Sequence, residues 1–186
     1  MKILCINGSP RKNGNTAKII KALAETAESL GGKIKNICLG KLKYSGCIAC
    51  MACKKKSDKC VIKDDISDVL KKITKSDLIV IGSPVYYGDV SSQMKALIDR
   101  TYSFLTSDYK SRLKPGKILV MILPQGDAET SHFSDIFNRY YDFFKWHGFK
   151  NGFCIRACGA DNKDSVVVDS AIIEARELAK KILKAR

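Results

Sequence analysis

Residues 78–82 read Leu78-Ile79-Val80-Ile81-Gly82 and are closed by Ser83-Pro84. No polar residue interrupts the run. A strand this apolar has no face to give to solvent, and strands buried on both faces belong to parallel sheets covered by crossover helices. That property sets the class: an α/β fold with a parallel sheet.

Working upstream, Asp64-Asp65 opens a helix with Ile66, Val69, Leu70 and Ile73 on one face. Asp65 is its expected cap, and Asp68 favours the positive end of the helix dipole. Before it, Lys33 to Leu39 is a second strand. Residues 16–30 form a helix whose apolar face is Ile19, Ile20, Leu23, Ala27 and Leu30. Asn15 or Thr16 is its expected cap, and Gly31-Gly32 stops it. Residues 2–7 are the first strand, ended by Asn7-Gly8-Ser9-Pro10. Downstream, Ser83 to Gly88 is a loop and Ser91 to Leu105 a helix. Pro115-Gly116 turns into a fourth strand, Lys117 to Leu123, and Pro124-Gln125-Gly126 is a second loop. A helix runs from about Thr130 to Trp146. Asn151-Gly152 leads into a fifth strand, Phe153 to Ala157, and Ser165 to Leu183 closes the chain as a helix.

Five strands alternating with helices are the pattern of an open, doubly wound sheet in three αβα layers. The expected order is 2-1-3-4-5, flavodoxin-like. The 186 residues form one expected domain, 1–186, with an insertion at 44–63 after the second strand.

That insertion carries Cys47, Cys50, Cys53 and Cys60. The spacing C-x2-C-x2-C wraps three corners of an iron–sulfur cube, with the fourth corner supplied from further along. Val61 follows Cys60, not the Pro of the two-cluster ferredoxin run, so one self-contained 4Fe–4S site is expected. Two readings compete with it. Zinc favours two separated pairs, and here the ligands crowd into fourteen residues. Free, catalytic or redox-sensing thiols suit a reducing compartment. Lys54, Lys55 and Lys56 suit an anionic cluster and equally suit a solvated loop. Cys154 and Cys158 read as small buried residues. His132 and His147, each alone on an expected helix, read as surface or core packing.

Lys and Arg number 33 against 19 Asp and Glu, a net charge of +14. This attracts anions. No nucleic-acid-binding motif accompanies the charge and the lysines are scattered. An anionic cofactor and an acidic redox partner are therefore preferred over nucleic acid. No run is long enough to span a bilayer, and Met1 to Ile6 is too short for a signal-peptide core. A cytoplasmic protein without a membrane partner is expected.

In doubly wound sheets, ligands lie beyond the carboxyl ends of the strands, at the switch point. Loops 8–16, 83–90 and 124–128 therefore matter. The first offers Ser9, Arg11, Asn13, Asn15 and Thr16 beside a helix N-terminus, which suits phosphate. It is neither a Walker loop nor G-x-G-x-x-G. The alternative is a plain Gly-rich turn. The second, Pro84-Val85-Tyr86-Tyr87-Gly88, offers aromatic walls and open backbone to a flat heteroaromatic ring, or packs its tyrosines as lid or core. In the third, Gln125 and Gly126 let backbone approach the ring's other edge.

GSPRKNGNT (8–16) and SPVYYGDVSSQMKALIDR (83–100) together resemble the NAD(P)H-dependent FMN reductases of the flavodoxin-like superfamily. CIACMACKKKSDKC (47–60) resembles the cysteine motif of the iron–sulfur flavoproteins in that branch. The resemblance implies an FMN-dependent oxidoreductase. Ser9, Arg11, Asn15 and Thr16 would hold the FMN phosphate. Pro84, Val85, Tyr86, Tyr87 and Gly88 would contact the isoalloxazine, and Cys47, Cys50, Cys53 and Cys60 would ligate 4Fe–4S. The donor would be ferredoxin or NAD(P)H and the acceptor a small molecule or a protein. A homodimer or homotetramer is implied, in which one subunit's cluster can approach another's flavin. Two rivals stand beside this: an FMN or quinone reductase with free or redox-active cysteines, and a basic binding module without activity.

Overall fold

The computed structural model describes residues 1–161 and 166–185. Strands β1 (Lys2–Asn7), β2 (Lys33–Cys38), β3 (Leu78–Gly82), β6 (Lys117–Gln125) and β7 (Phe149–Cys158) form one sheet in the order β2-β1-β3-β6-β7, every pair parallel. All five residues of β3 are buried, as an apolar strand at the centre of a covered sheet must be. Two short strands, β4 (Val85–Tyr86) and β5 (Asp89–Val90), pair antiparallel in a hairpin within the segment expected as loop. They enter the count after β3, which corrects the expected string 2-1-3-4-5.

Helices α1 (Asn15–Ser29) and α6 (Val166–Lys184) cover one face. Helices α3 (Asp65–Lys75), α4 (Ser92–Arg100) and α5 (Ile136–Trp146) cover the other. Between β2 and α3 the chain makes a 3-10 turn at Leu39–Lys41 and a four-residue helix, α2 (Ala52–Lys55), and is otherwise without regular structure.

Several boundaries differ from expectation, each for a local reason. Gly14, not Asn15 or Thr16, is the N-cap of α1 and makes no side-chain cap bond. Asp64, not Asp65, caps α3: its carboxylate accepts from Ile66 N at 3.1 Å, while Asp65 accepts from Lys43 N at 2.7 Å. Helix α4 stops at Arg100 and tightens into a 3-10 turn, Thr101–Phe104. Pro124 and Gln125 belong to β6, not to a loop. Asn151 and Gly152 lie inside β7, where a register shift against Lys117 and Ile118 absorbs Lys150. Helix α5 begins at Ile136, not near Thr130. The carbonyls of Asp127 and Glu129 take the Gln125 amide, and those of Thr130 and His132 take the Arg156 guanidinium. Side chains thus claim acceptors that a helix would need. Ser165, the expected start of the last helix, lies outside the described residues.

Candidate functional site

Two cavities are lined by the residues of interest. The first, of about 660 Å³, sits at the ends of β1, β3 and β6. Ser9, Arg11, Asn13, Asn15, Thr16, Pro84, Val85, Tyr86, Gln125 and Gly126 all line it. The three expected loops therefore meet in one place. Lys12, Pro124, Ala160 and Asp161 also line it and were not expected. The last two follow β7, whose end also faces the switch point, so topology could have flagged them.

Charge and hydrogen bonding divide this cavity. At one end stand Ser9, Arg11, Lys12, Asn13 and Thr16, with the N-terminus of α1 behind them. Gly14 has no side chain to offer the first N–H groups of that helix. A helix dipole and two cations select an anion. Ser9 is buried, and its hydroxyl accepts from Arg11 N at 3.2 Å, which shapes the turn. The Asn15 amide donates to the Ala160 carbonyl at 2.9 Å, so this side chain ties the loop after β1 to the loop after β7. At the other end, Pro84, Val85 and Tyr86 give an apolar wall facing Gln125 and Gly126. A β-carbon on Gly126 would sit 2.3 Å from Asp161 Oδ1, so the two loops approach closely here and a larger residue would displace the Asp161 carboxylate. The Gln125 side chain is turned to its own loop and to Arg156, with its Oε1 accepting at 2.9 Å.

Tyr87 and Gly88, expected as ring contacts, are not brought to this cavity. They form the turn of the β4–β5 hairpin with left-handed φ of 50° and 76°. That turn sends Tyr87 into solvent at 112% exposure, and Phe133 lies against Gly88. Asp89 anchors the hairpin to α5 by accepting from Tyr140 Oη at 2.8 Å and Arg139 Nη1 at 3.1 Å.

The second cavity, of about 530 Å³, lies on the α4–α5 side, and Cys47, Cys50, Cys53 and Cys60 all line it. Cys47 and Cys50 are exposed; Cys53 and Cys60 are half-buried. Ala49 and Met51 take left-handed backbone, φ 51° and 56°, and bend the chain around the space. Lys54 pins α2 from below: its ammonium donates to the Tyr102 carbonyl at 2.6 Å and to the Leu105 carbonyl at 2.5 Å, over the Tyr102 ring. Burial pushes the Lys54 ammonium below its ordinary value, the Cys53 thiol opposes this, and Arg112 adds to it. Among the described residues, no three His, Cys, Asp or Glu side chains gather closely enough to hold a single metal ion. Two buried groups on the same wall carry polar atoms without partners: Arg100 at Nε, and His147 at both ring nitrogens. Neither was anticipated as part of this site. Cys154 is off this cavity, and burial pushes its thiol up to about 12.

No described helix is long and apolar enough to cross a membrane. The fold is shared with an FMN-dependent NADH-azoreductase from Bacillus anthracis solved in complex with FMN. The TM-score is 0.77 at 20% identity, covering 98% of this chain and 100% of that one. It is shared also with an NAD(P)H:quinone oxidoreductase from Methanothermobacter marburgensis (TM-score 0.78, 13% identity, 98% and 96% covered). Closer in sequence is an iron–sulfur flavoprotein of Methanocaldococcus jannaschii, 33% identical over 79% of this chain and 73% of its own length. Another, of Archaeoglobus fulgidus, is 41% identical over 72% and 66%; a third, of Methanosarcina thermophila, is 37% identical over 64% and 62%. The chain thus spans about two thirds of the length of the curated relatives it matches. Residues 1–140, which hold all three expected loops and all four clustered cysteines, match the model of the NADPH-dependent FMN reductases, and the chain belongs to that family.

Proposed function

We propose that the protein is an FMN-dependent oxidoreductase that passes electrons between a reduced donor, NAD(P)H or ferredoxin, and a small-molecule or protein acceptor. The observation that carries this reading is the convergence of three separate loops on one cavity, with an anion-binding end and a flat apolar end. Flavin supplies hydride and single-electron chemistry when bound. The chain's part is position and electrostatics. Ser9, Arg11, Asn13 and Thr16 would hold the phosphate at the positive end of α1. Asn15 holds the phosphate loop against Ala160. Pro84, Val85 and Tyr86 form the wall for the ring and keep water off it, and backbone at Gln125 and Gly126 faces its polar edge.

The four cysteines are read as the ligands of a 4Fe–4S cluster. Support comes from their common cavity and from the iron–sulfur flavoproteins among the relatives. Cys47, Cys50 and Cys53 would hold three corners and Cys60 the fourth. Residues 1–186 are taken as one functional unit.

Anaerobic purification tests the reading. Flavin bands with about four irons and a broad shoulder to longer wavelength are expected. Flavin without iron or sulfide would leave an FMN or quinone reductase with free thiols. A colourless protein that takes up no FMN would remove the flavin reading altogether.

A further inference from the structure

Cys60 is the outlying thiol of the set, seven residues beyond Cys53. Something must hold its stem near the other three. The loop from Ser45 to Ile62 contains one four-residue helix and little backbone pairing of its own. Beneath it lies the Arg100 side chain, 1% exposed, reaching up from the last turn of α4.

We propose that Arg100 is the positioning residue of the cysteine finger: its buried guanidinium ties the incoming stem at Ser45 and the outgoing stem at Ile62 to one another through Asp64, and so fixes Cys60 across from Cys47. This deepens the cluster reading above but does not require it. The network is closed. Arg100 Nη1 donates to Asp64 Oδ2 at 2.6 Å and to the Ser45 carbonyl at 3.2 Å. Arg100 Nη2 donates to the Ile62 carbonyl at 3.1 Å. The same Asp64 Oδ2 accepts from Ser45 N at 3.2 Å. Cys47 lies two residues after the first stem and Cys60 two residues before the second. The guanidinium also lies beside the Cys60 thiol, and burial notwithstanding, Asp64 and Cys60 hold its charge.

The choice of residue follows from geometry. A guanidinium presents its donors as a rigid fork, so one side chain can serve two stems and a carboxylate at once. An ammonium is a single point and cannot span the same acceptors. Closing a long loop costs chain entropy, and a ready-made clasp has met that cost before any cofactor arrives. The remaining Nε–H is buried and without a partner, and Arg100 is part of the lining of the cysteine cavity.

Hydrogen exchange over residues 44–63 tests this in the iron-free protein, prepared by anaerobic chelation, alongside iron analysis of the protein as purified. Arg100→Met should speed exchange there about tenfold, while β1 and β3 stay within about twofold of wild type. Arg100→Lys should fall between the two, because it can reach one stem only. Asp64→Asn keeps the α3 cap and should give a smaller acceleration, about threefold; it decides the matter if Arg100→Met does not fold. Wild-type rates over 44–63 in a folded Arg100→Met protein, or in Asp64→Asn if that is the one that folds, would overturn the clasp. So would a wild-type loop that already exchanges without protection. Failure of the cluster reading looks different: wild type then carries no iron, yet the variants still loosen the loop.

Discussion

The Ser91 hydroxyl donates to the Gly8 carbonyl at 2.8 Å, across 83 residues of sequence. The same hydroxyl accepts from Met94 N at 3.3 Å as the N-cap of α4, and Ser91 N donates to Ser83 Oγ at 2.8 Å. One buried serine thus joins the end of β1, the end of β3 and the start of α4. Ser91→Ala would lose the cap and orphan a buried carbonyl beside the first cavity. A cost of about 2 kcal/mol is expected. Urea denaturation checks it, and a midpoint within error of wild type would contradict the role. Gly8→Ala should be as harmful, since a β-carbon there would lie 2.9 Å from Met94 Cβ in a packed helix.

The anion-binding end of the first cavity makes a second prediction. Ser9 and Thr16 are buried, whereas Arg11 and Lys12 are exposed. Ser9→Ala should weaken FMN binding about tenfold at any salt concentration, because it removes a desolvated hydrogen bond and loosens the Arg11 turn. Arg11→Ala should cost about fivefold at low salt and less at high salt, because its charge is screened. Fluorescence titration of apoprotein with FMN separates the two. Riboflavin, which lacks the phosphate, should be indifferent to both changes. A riboflavin loss equal to the FMN loss would move the phosphate elsewhere.

The sheet was legible because β3 and β1 are short apolar runs with no other physical option. The loop after β1 was legible as cavity lining because Gly, Ser and Asn cluster between a strand and an amphipathic helix. The β4–β5 hairpin was not, since only two residues pair on each side and the tyrosines read equally well as wall or lid. Its position depends on Asp89 reaching Tyr140 and Arg139, partners 50 residues away. The late start of α5 was hidden for the same reason: Gln125 and Arg156 capture carbonyls across the fold. The roles of Arg100 and His147 also come from partners distant in sequence, and local pattern carries no trace of them.

Cys60 and Cys154 offer a matched pair of substitutions. Both are half-buried thiols, but only Cys60 lines the cavity shared with Cys47, Cys50 and Cys53. Cys60→Ala should lower iron per flavin at least about threefold and bleach the long-wavelength shoulder. Cys154→Ala, on β7 among apolar neighbours, should leave iron and spectrum unchanged and cost about 1 kcal/mol of stability. Equal iron loss in both would point to a general loosening of the fold and remove Cys60 from the ligand set.

His147 links the second cavity to acid sensitivity. Its ring is 5% exposed and edged by Phe104 and Phe144. Burial pushes its pKa down to about 4; contact with the Thr101 backbone works against this, and Lys54 adds to it. In the unfolded chain the ring titrates near 6.5. Between these values the unfolded chain binds a proton that the folded chain refuses, so acidification favours unfolding. The contribution is fully present above pH 6.5 and is lost as pH falls toward 4, by about 3 kcal/mol in all. His132 acts in the opposite sense, since Asp127 raises its value, but it is solvent-exposed and its effect is screened. Asp64 and Asp89 are held below their ordinary values despite burial, chiefly by hydrogen bonds from Arg100 and Tyr140, so their losses come at lower pH. Urea denaturation at pH 7 and pH 5 isolates the histidine. Wild type should lose about 2 kcal/mol over that interval, and His147→Met, similar in volume and uncharged, should lose little. Parallel losses in the two proteins would mean that the acid response originates elsewhere.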